Sequence, residues 1–501
     1  MYNNGKFNLR SLAMMGQQDG YQQKLFITGF NLDKRIPDNH ILRKISETVD
    51  FDFIYKEVKH TYGLKGNVSV PPPVILKLML LLFLFNVRSE RELMTTLPLR
   101  LDWLWFLGYD IEDDIPDHSV LSKARTRWGV DAFKRFFDII LLQCVEAGLV
   151  DGSKAFIDSS LVDADASNNS VVNMHDIKRY LKKSYRLLEE RLDDFRGQKS
   201  PLINKKHVST TDPDASVTRY GNSRPKLRYK THRVVDEKNE IITATKLTPG
   251  SVDDGAALKE MIDIHQQNTG TKPEAIVADT KYGTIDNYLH YYDEGIKTHI
   301  PSVEETHKGV GSRKGIFTKE EFTYKPDEDI FTCPRGEILT KRKYKKKRKH
   351  YEYKASPKAC NKCDIKDKCT RSKSGRTLKR HERQDELDEI IERTKSIEVK
   401  KDLKTRQHLS ERSFARSTRY GFKRARWRNL WRMEIQDYLI AAIQNITVLI
   451  NQPINKMSKS NVQERRKSRP DSLIERIKLF YKQLRSYIYP GFLIIRLNNK
   501  Y

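Results

Sequence analysis

Long apolar runs are missing from this chain. The longest, Leu78–Phe85, has eight residues, and a membrane-spanning helix needs about 20. The opening residues, Met1 to Lys6, lack the apolar segment of a secretory leader. The expectation is a cytoplasmic protein with no membrane partner. Cysteine is scarce, with five in 501 residues. A reducing compartment excludes a disulfide-built fold, so cysteine spacing suggests metal before disulfide. Negative charge is short too. Asp plus Glu number 66 against 93 Lys plus Arg, a formal net charge of +27. That excess disfavours a small-molecule metabolic enzyme and favours a polyanionic partner. A merely basic, ribosome-like protein fits the same number. There is no internal repeat.

What is present divides along the chain. Residues 1–24 are rich in Gln, Asn and Gly and read as disordered. Residues 25–150 read as an all-α domain. His40–Val49 has helical spacing. The stiff Pro71–Pro73 precedes an apolar helix over Val74–Val87, and Val130–Glu146 buries Phe133, Phe136, Phe137, Ile140, Leu141 and Cys144. Asp117 or Ser119 is placed to cap the helix between them. From 151 to 300 the pattern becomes mixed. A strand over Ala155–Val162 is followed by a charge-laced helix over Asn173–Arg196. A hairpin of Tyr229–Asp236 and Glu240–Leu247 comes next, then a helix over Val252–His265 and a short buried strand, Glu274–Asp279. This order predicts an α/β domain with a mixed sheet. Residues 301–405 form a basic insertion holding four of the five cysteines. Helix returns at about His408 and again over Trp431–Ile450, so 406–451 closes the α/β domain. A basic tail covers 452–501.

Three acids stand out by their setting. Asp158 lies within a predicted strand, Asp279 ends one, and Glu411 lies near a helix start. A carboxylate on an apolar strand is costly unless it is paired or metal-bound. Strand ends in open α/β sheets are where such groups converge. Hard oxygen ligands suit Mg²⁺ or Mn²⁺. Each acid alone has a structural explanation. Asp279 can cap a turn, and Glu411 can sit favourably in a helix dipole. Glu434 is a rival third acid.

The remaining signals lie further along the chain. Cys333, Cys360, Cys363 and Cys369 are spaced C-x26-C-x2-C-x5-C. That fits a tetrahedral structural zinc site, with free thiols or disulfides as alternatives. Cys144 reads as core. Lys341–Lys349 has eight basic residues in nine positions. Within it, Lys345, Lys346 and Lys347 are candidate contacts to the DNA backbone, or simply a solvated loop. Arg424, Arg426, Arg428 and Arg432 interleave with Trp427 and Trp431, a pairing suited to phosphate contact and aromatic packing. His118 and His232 read as structural.

In order along the chain, several stretches resemble the DDE transposases of bacterial insertion sequences, in the IS4/IS5-like superfamily. The resemblance runs from about residue 25 to 450. It rests on Arg88-Ser-Glu-Arg-Glu-Leu93, Trp105-Phe-Leu-Gly108, Ile115-Pro-Asp-His-Ser119 and Asp158-Ser-Ser-Leu-Val-Asp-Ala-Asp-Ala-Ser167. It continues through Ser209-Thr-Thr-Asp-Pro-Asp-Ala215, Val277-Ala-Asp-Thr-Lys-Tyr-Gly283, Glu411-Arg-Ser-Phe-Ala415, Arg424-Ala-Arg-Trp-Arg428 and Ile443-Gln-Asn445. The resemblance implies an α/β ribonuclease-H-like catalytic domain with a mixed sheet, interrupted by a Cys-containing insertion and preceded by an all-α DNA-binding domain. It implies cleavage and transfer of DNA strands by an Asp158, Asp279, Glu411 triad holding two Mg²⁺ (or Mn²⁺) ions. Its partners would be double-stranded element ends and target DNA, bound by a homodimer or larger assembly in the bacterial nucleoid. The family's usual Lys, seven residues after the Glu, is replaced by Thr418, and Arg419 is placed to take over its phosphate contact. The alternatives are a DNA nuclease without strand transfer and a DNA-binding regulator without catalysis.

Overall fold

The computed structural model describes residues 31–63, 66–173, 207–219, 221–303 and 315–452. The expected disorder over 1–24, nearly all of the expected helix over Asn173–Arg196, and the tail beyond 452 lie outside these residues. The chain divides into two units, Met1–Ile450 and Asn451–Tyr501. The architecture below is that of the first.

The N-terminal region is helical. Its longer helices are Ile41–Thr48, Pro72–Leu84, Ser119–Trp128 and Asp131–Glu146. Pro72 and Pro73 stand inside the first turn of their helix rather than before it. A missing N–H costs nothing there, and the fixed φ suits the helix. Asp117 accepts the Ser119 backbone N–H at 2.8 Å from just before the helix, whose N-cap position is His118 and has no side-chain cap bond. Pro72–Leu84 is buried along nearly its whole length, Lys77 included. The Lys77 ammonium donates to the Phe106 carbonyl at 2.9 Å and lies over the Phe51 and Phe106 rings. Burial lowers its pKa to about 8.

The chain then builds a mixed sheet. β1 (Lys154–Asp163) pairs antiparallel with β5 (Lys226–Val235) and parallel with β7 (Ala275–Val277). β7 in turn pairs parallel with β8 (Lys297–His299). β5 also carries β4 (Ser216–Thr218) and β6 (Ile242–Pro249), both antiparallel. The short β2 (Val171–Asn173) and β3 (His207–Ser209) pair with each other. One face of the sheet packs on helices Asp254–Thr269, Ile285–Asp293 and Gln384–Thr394. The other face shares a continuous core with the N-terminal helices and helix Leu430–Asn451. None of the helices among the described residues is long and apolar enough to cross a membrane.

The insertion contributes a separate antiparallel sheet of β9 (Thr323–Lys325), β10 (Ile330–Thr332), β11 (Ile338–Lys345), β12 (His350–Lys354) and β13 (Thr377–His381). One expectation is corrected after it. The helix carrying Glu411 runs over Ile397–Thr418 and starts well before His408. Its first turns are rich in Lys, and their sparse apolar residues give a weak periodic signal.

Polar clasps register helix Leu430–Asn451 against the sheet. Asp212 and Asp214 accept the backbone N–H groups of Asn429 and Leu430, at 3.1 and 2.8 Å. This gives the Thr-Asp-Pro-Asp stretch a physical role, satisfying donors at a helix start. Asn445 donates to the Ile242 carbonyl and accepts its N–H, both at 2.9 Å. Arg233 is fully buried, lies against the stacked rings of Phe414 and Phe422, and pairs with Asp437 at 3.1 Å. Glu434 is half-buried on the same helix. Burial pushes its carboxyl up to about 7, with Asp437, Asp214 and Glu260 adding to the shift and Lys246 opposing it.

Two outcomes follow. Asp437→Leu strands the Arg233 charge and should destabilise the protein by about 3–5 kcal/mol in urea unfolding. The double change Arg233→Met, Asp437→Leu should recover most of that loss, and an unaffected single variant would refute the role of the pair. A carboxyl raised in the folded state contributes stability below its unfolded pKa and loses it as pH rises through the folded one. From the ordinary value of 4.5 to about 7, parental stability should therefore fall. Glu434→Gln should flatten that fall in thermal melts.

Candidate active site

Side chains alternate along β1, so Phe156 and Asp158 share one face while Ile157 and Ser159 take the other. Ile157 accordingly packs in the core beneath the sheet, and the Ser159 hydroxyl donates to Asp254 at 2.7 Å. Phe156 pairs with Val277 of β7. Continuing that register by two residues sets Asp279 level with Asp158, both past the last paired residues of parallel strands. Asp279 also accepts the Thr280 N–H at 2.8 Å and starts a short 3-10 turn. The structural explanation of Asp279 as a cap therefore holds, and one of its oxygens still faces away from that bond.

Asp158 and Asp279 are both half-buried. The Oδ1 of Asp158 accepts the Ser159 N–H at 2.8 Å, and its Oδ2 accepts from the Arg406 guanidinium at 2.7 Å. Burial raises its pKa above the ordinary carboxylate value, and the charge of Asp279 adds to the rise. Arg406, the Ser159 amide and the Ser410 hydroxyl oppose it. One cation therefore compensates the pair of acids only in part.

Glu411 is placed differently. Arg406 and Ser410 face Asp158 from helix Ile397–Thr418. Glu411 follows Ser410 by one residue, about 100° further around the helix. It is exposed and accepts from Gln407 at 3.0 Å. The structure brings Asp158 and Asp279 together and leaves Glu411 beside them on the solvent side of the neighbouring helix. Glu434, the rival acid, has Lys246, Asp437, Asp214 and Glu260 as its charged neighbours, which is a different environment from that of Asp158.

Arg406 and Ser410 were not legible as site residues. Their signal is the i, i+4 stripe Asp402, Arg406, Ser410, which is visible only once the helix is known to begin at Ile397. Asp402 heads that stripe. With His299 and Glu398 it forms the one group among the described residues whose three candidate ligand atoms lie within 4.8 Å of one another. Both Asp402 oxygens already accept from the Lys154 ammonium at 2.9 Å, and His299 Nδ1 lies 2.8 Å from one of them. A metal there would have to displace Lys154 from Asp402, so this cluster reads as a structural network. His232 is structural as expected. It is buried between Tyr282 and Thr248, and burial lowers its pKa to about 4.

The basic residues separate into two groups. Arg419, Arg424 and Arg428 are exposed. Arg424 and Arg428 reach Asp165 at 3.4 and 3.3 Å. Lys346 and Lys347 are exposed on the turn after β11, and Lys345 is half-buried near Glu352 at 3.9 Å. Arg426 is committed inward, which corrects its expected place on a DNA surface. It donates to the Val87 carbonyl and the Asn86 side chain and covers Phe83 at 4.7 Å. Burial lowers its pKa to about 10. Trp427 meets Phe83 edge-on at 5.5 Å and carries Arg125 over its face at 4.0 Å, so it packs instead of presenting a ring to a base. Arg432 lies over Trp431 at 4.8 Å. Thr418 bonds back to the Phe414 carbonyl at 3.2 Å within its own helix.

A family model described as a transposase domain (DUF772) matches residues 30–127. A second, described as a transposase DDE domain, matches residues 332–450. Glu411 and the arginine stretch fall inside the second match, and Asp158 and Asp279 fall between the two. No curated protein and no solved structure is similar enough to match. The helical N-terminal region and the segment closing the mixed sheet are thus each matched by a transposase family, and the chain belongs to the DDE transposases of insertion elements, enzymes that act on DNA.

Proposed function

We propose that Asp158, Asp279 and Glu411 are the acids with which this transposase cleaves DNA at its element ends and joins the freed ends to a target. The observation that carries this reading is the pair Asp158 and Asp279, level with each other on adjacent parallel strands. An antiparallel hairpin on one side of β1 and parallel strands on the other support a ribonuclease-H-like sheet.

Divalent metal use comes with the DDE domain family. The residues present fit Mg²⁺ or Mn²⁺. They offer hard oxygen donors whose charges repel each other and are only partly answered by Arg406. When bound, such ions activate a water or a 3′-hydroxyl and stabilise the leaving oxygen. Asp158 and Asp279 hold the cation side of the site, and three carboxylates carry enough negative charge for two ions. Glu411 supplies the third carboxylate from the helix that also carries Arg406. The Arg406 fork suits a phosphate oxygen as well as a carboxylate, so it can hand over from Asp158 to bound DNA. No side-chain nucleophile is required, because water and then the DNA 3′-hydroxyl attack. Two element ends call for at least two protomers.

The exposed Arg419, Arg424, Arg428, Lys346 and Lys347 form the DNA-facing set, while Arg426 holds the fold together. Asp158→Asn, Asp279→Asn and Glu411→Gln should each lower strand cleavage in Mg²⁺ by about a hundredfold or more while DNA binding persists. Precut ends would test joining separately. Normal nicking by Glu411→Gln alone would place the third ligand elsewhere, and normal nicking by all three would sink the reading. DNA affinity should fall by about a thousandfold between about 50 and about 200 mM salt through counterion release. Lys346→Ala with Lys347→Ala should shallow that log–log slope. Arg426→Ala should instead lower stability and leave the slope unchanged.

A further inference from the structure

Residues from Gly315 to His381 fold into the five-stranded sheet with a core of its own. That core holds seven buried apolar residues, among them Phe322, Phe331, Leu339 and Tyr353. A unit this small seldom gathers enough buried apolar surface to be firm without a cross-link. It contains four cysteines, and all are free thiols.

The four come from two loops that face each other. Cys333 opens the turn between β10 and β11. Its N–H donates to the Glu337 carbonyl at 2.9 Å, and the Gly336 N–H donates to the Cys333 carbonyl at 2.8 Å. Gly336 has φ +87°, which an ordinary side chain would resist, so the tight turn needs this glycine. Cys360 and Cys363 lie at the end of helix Pro357–Asn361, where the Cys363 N–H turns back to the Cys360 carbonyl at 3.4 Å. Cys369 ends helix Lys366–Cys369 and is buried in the small core. Arg335 of the first loop pairs with Asp364 of the second at 3.1 Å. Cys333 and Cys360 pack against the same small core that contains Cys369.

We propose that Cys333, Cys360, Cys363 and Cys369 bind one structural zinc ion that ties the β10–β11 turn to the two short helices. Two tight turns presenting thiols from opposite sides suit tetrahedral zinc with about 2.3 Å zinc–sulfur bonds. The sulfurs do not yet meet at ligand spacing, so binding draws them inward and releases their protons to solvent. Four thiolates leave no open position. The ion therefore does no chemistry on DNA, and this inference stands apart from the reading of Asp158, Asp279 and Glu411. What zinc gives the protein is a fixed base for β11, the strand that bears Lys341, Lys343 and Lys345.

The test uses the full chain, purified without chelator, with metals measured by mass spectrometry. The expected result is about one zinc per chain, released in step with thiol titration by a mercurial reagent. Cys363→Ser and Cys369→Ser should each lose most of it. If those variants fold poorly, the parent stripped of metal should take up one cobalt(II) with the absorption of a tetrahedral thiolate site. Limited proteolysis of the stripped parent should cut first between residues 315 and 381, and added zinc should restore protection. Less than half a zinc per chain combined with no thiolate–cobalt spectrum would overturn the proposal. So would iron with inorganic sulfide in place of zinc, or full zinc content in both serine variants.

Discussion

A carboxylate on the central strand of a buried sheet must be answered by positive charge, and much of this fold is arranged around that demand at Asp158. Directly across the ladder stands Arg233, but its guanidinium is spoken for by Asp437 and packs against two phenylalanine rings. Arg406 reaches Asp158 from the packed helix instead. Asp279 then adds a second negative charge at the same level. The sheet keeps two acids close together where the energetics of burial would separate or neutralise them. A metal-dependent enzyme has reason to maintain such an arrangement, because the burial and the neighbouring charge that raise the Asp158 pKa are both offset when a divalent cation binds the two carboxylates.

The elements with a strong internal period were legible from the sequence. Ala155–Val162, the hairpin around Asp236–Asn239, and helices Asp131–Glu146 and Leu430–Asn451 all form where alternation or 3.6-residue spacing places them. Asp158 and Asp279 were legible because an acid in an apolar strand is conspicuous. The surroundings of Glu411 were not. Helix Ile397–Thr418 buries Asp402, Ser410, Ser413 and Ser417 alongside Val399 and Leu409, so its inward face is largely polar and its hydrophobic stripe is broken. Hydrophobic periodicity reports burial only where burial is apolar.

Arg426 teaches a related lesson. On an extended chain Arg424, Arg426 and Arg428, spaced two apart, would share one face, but the backbone bends after Arg424 and turns the middle one inward while the outer two face solvent. Composition treats the three alike, while the backbone sorts them. At its start the segment meets the end of β1, where the Asp163 N–H donates to the Lys423 carbonyl and the Ala425 N–H donates to the Asp163 carbonyl, at 3.0 and 2.8 Å. This single bridge joins the segment to the last residue of β1, and through Arg426, Asn86 and Val87 the same segment fastens the N-terminal helices to the mixed sheet.

The clasp between Asn445 and Ile242 bears on how copies of this protein can meet. β6 borders the sheet, and an open border is a template on which a strand from a second chain can add. At Ile242 both backbone groups are already taken by an asparagine side chain from a helix of the same protomer. Growth of the sheet from one copy into the next is blocked at that end. A side chain of the same protomer thus guards this border against the strand-to-strand association to which a bare sheet edge is prone.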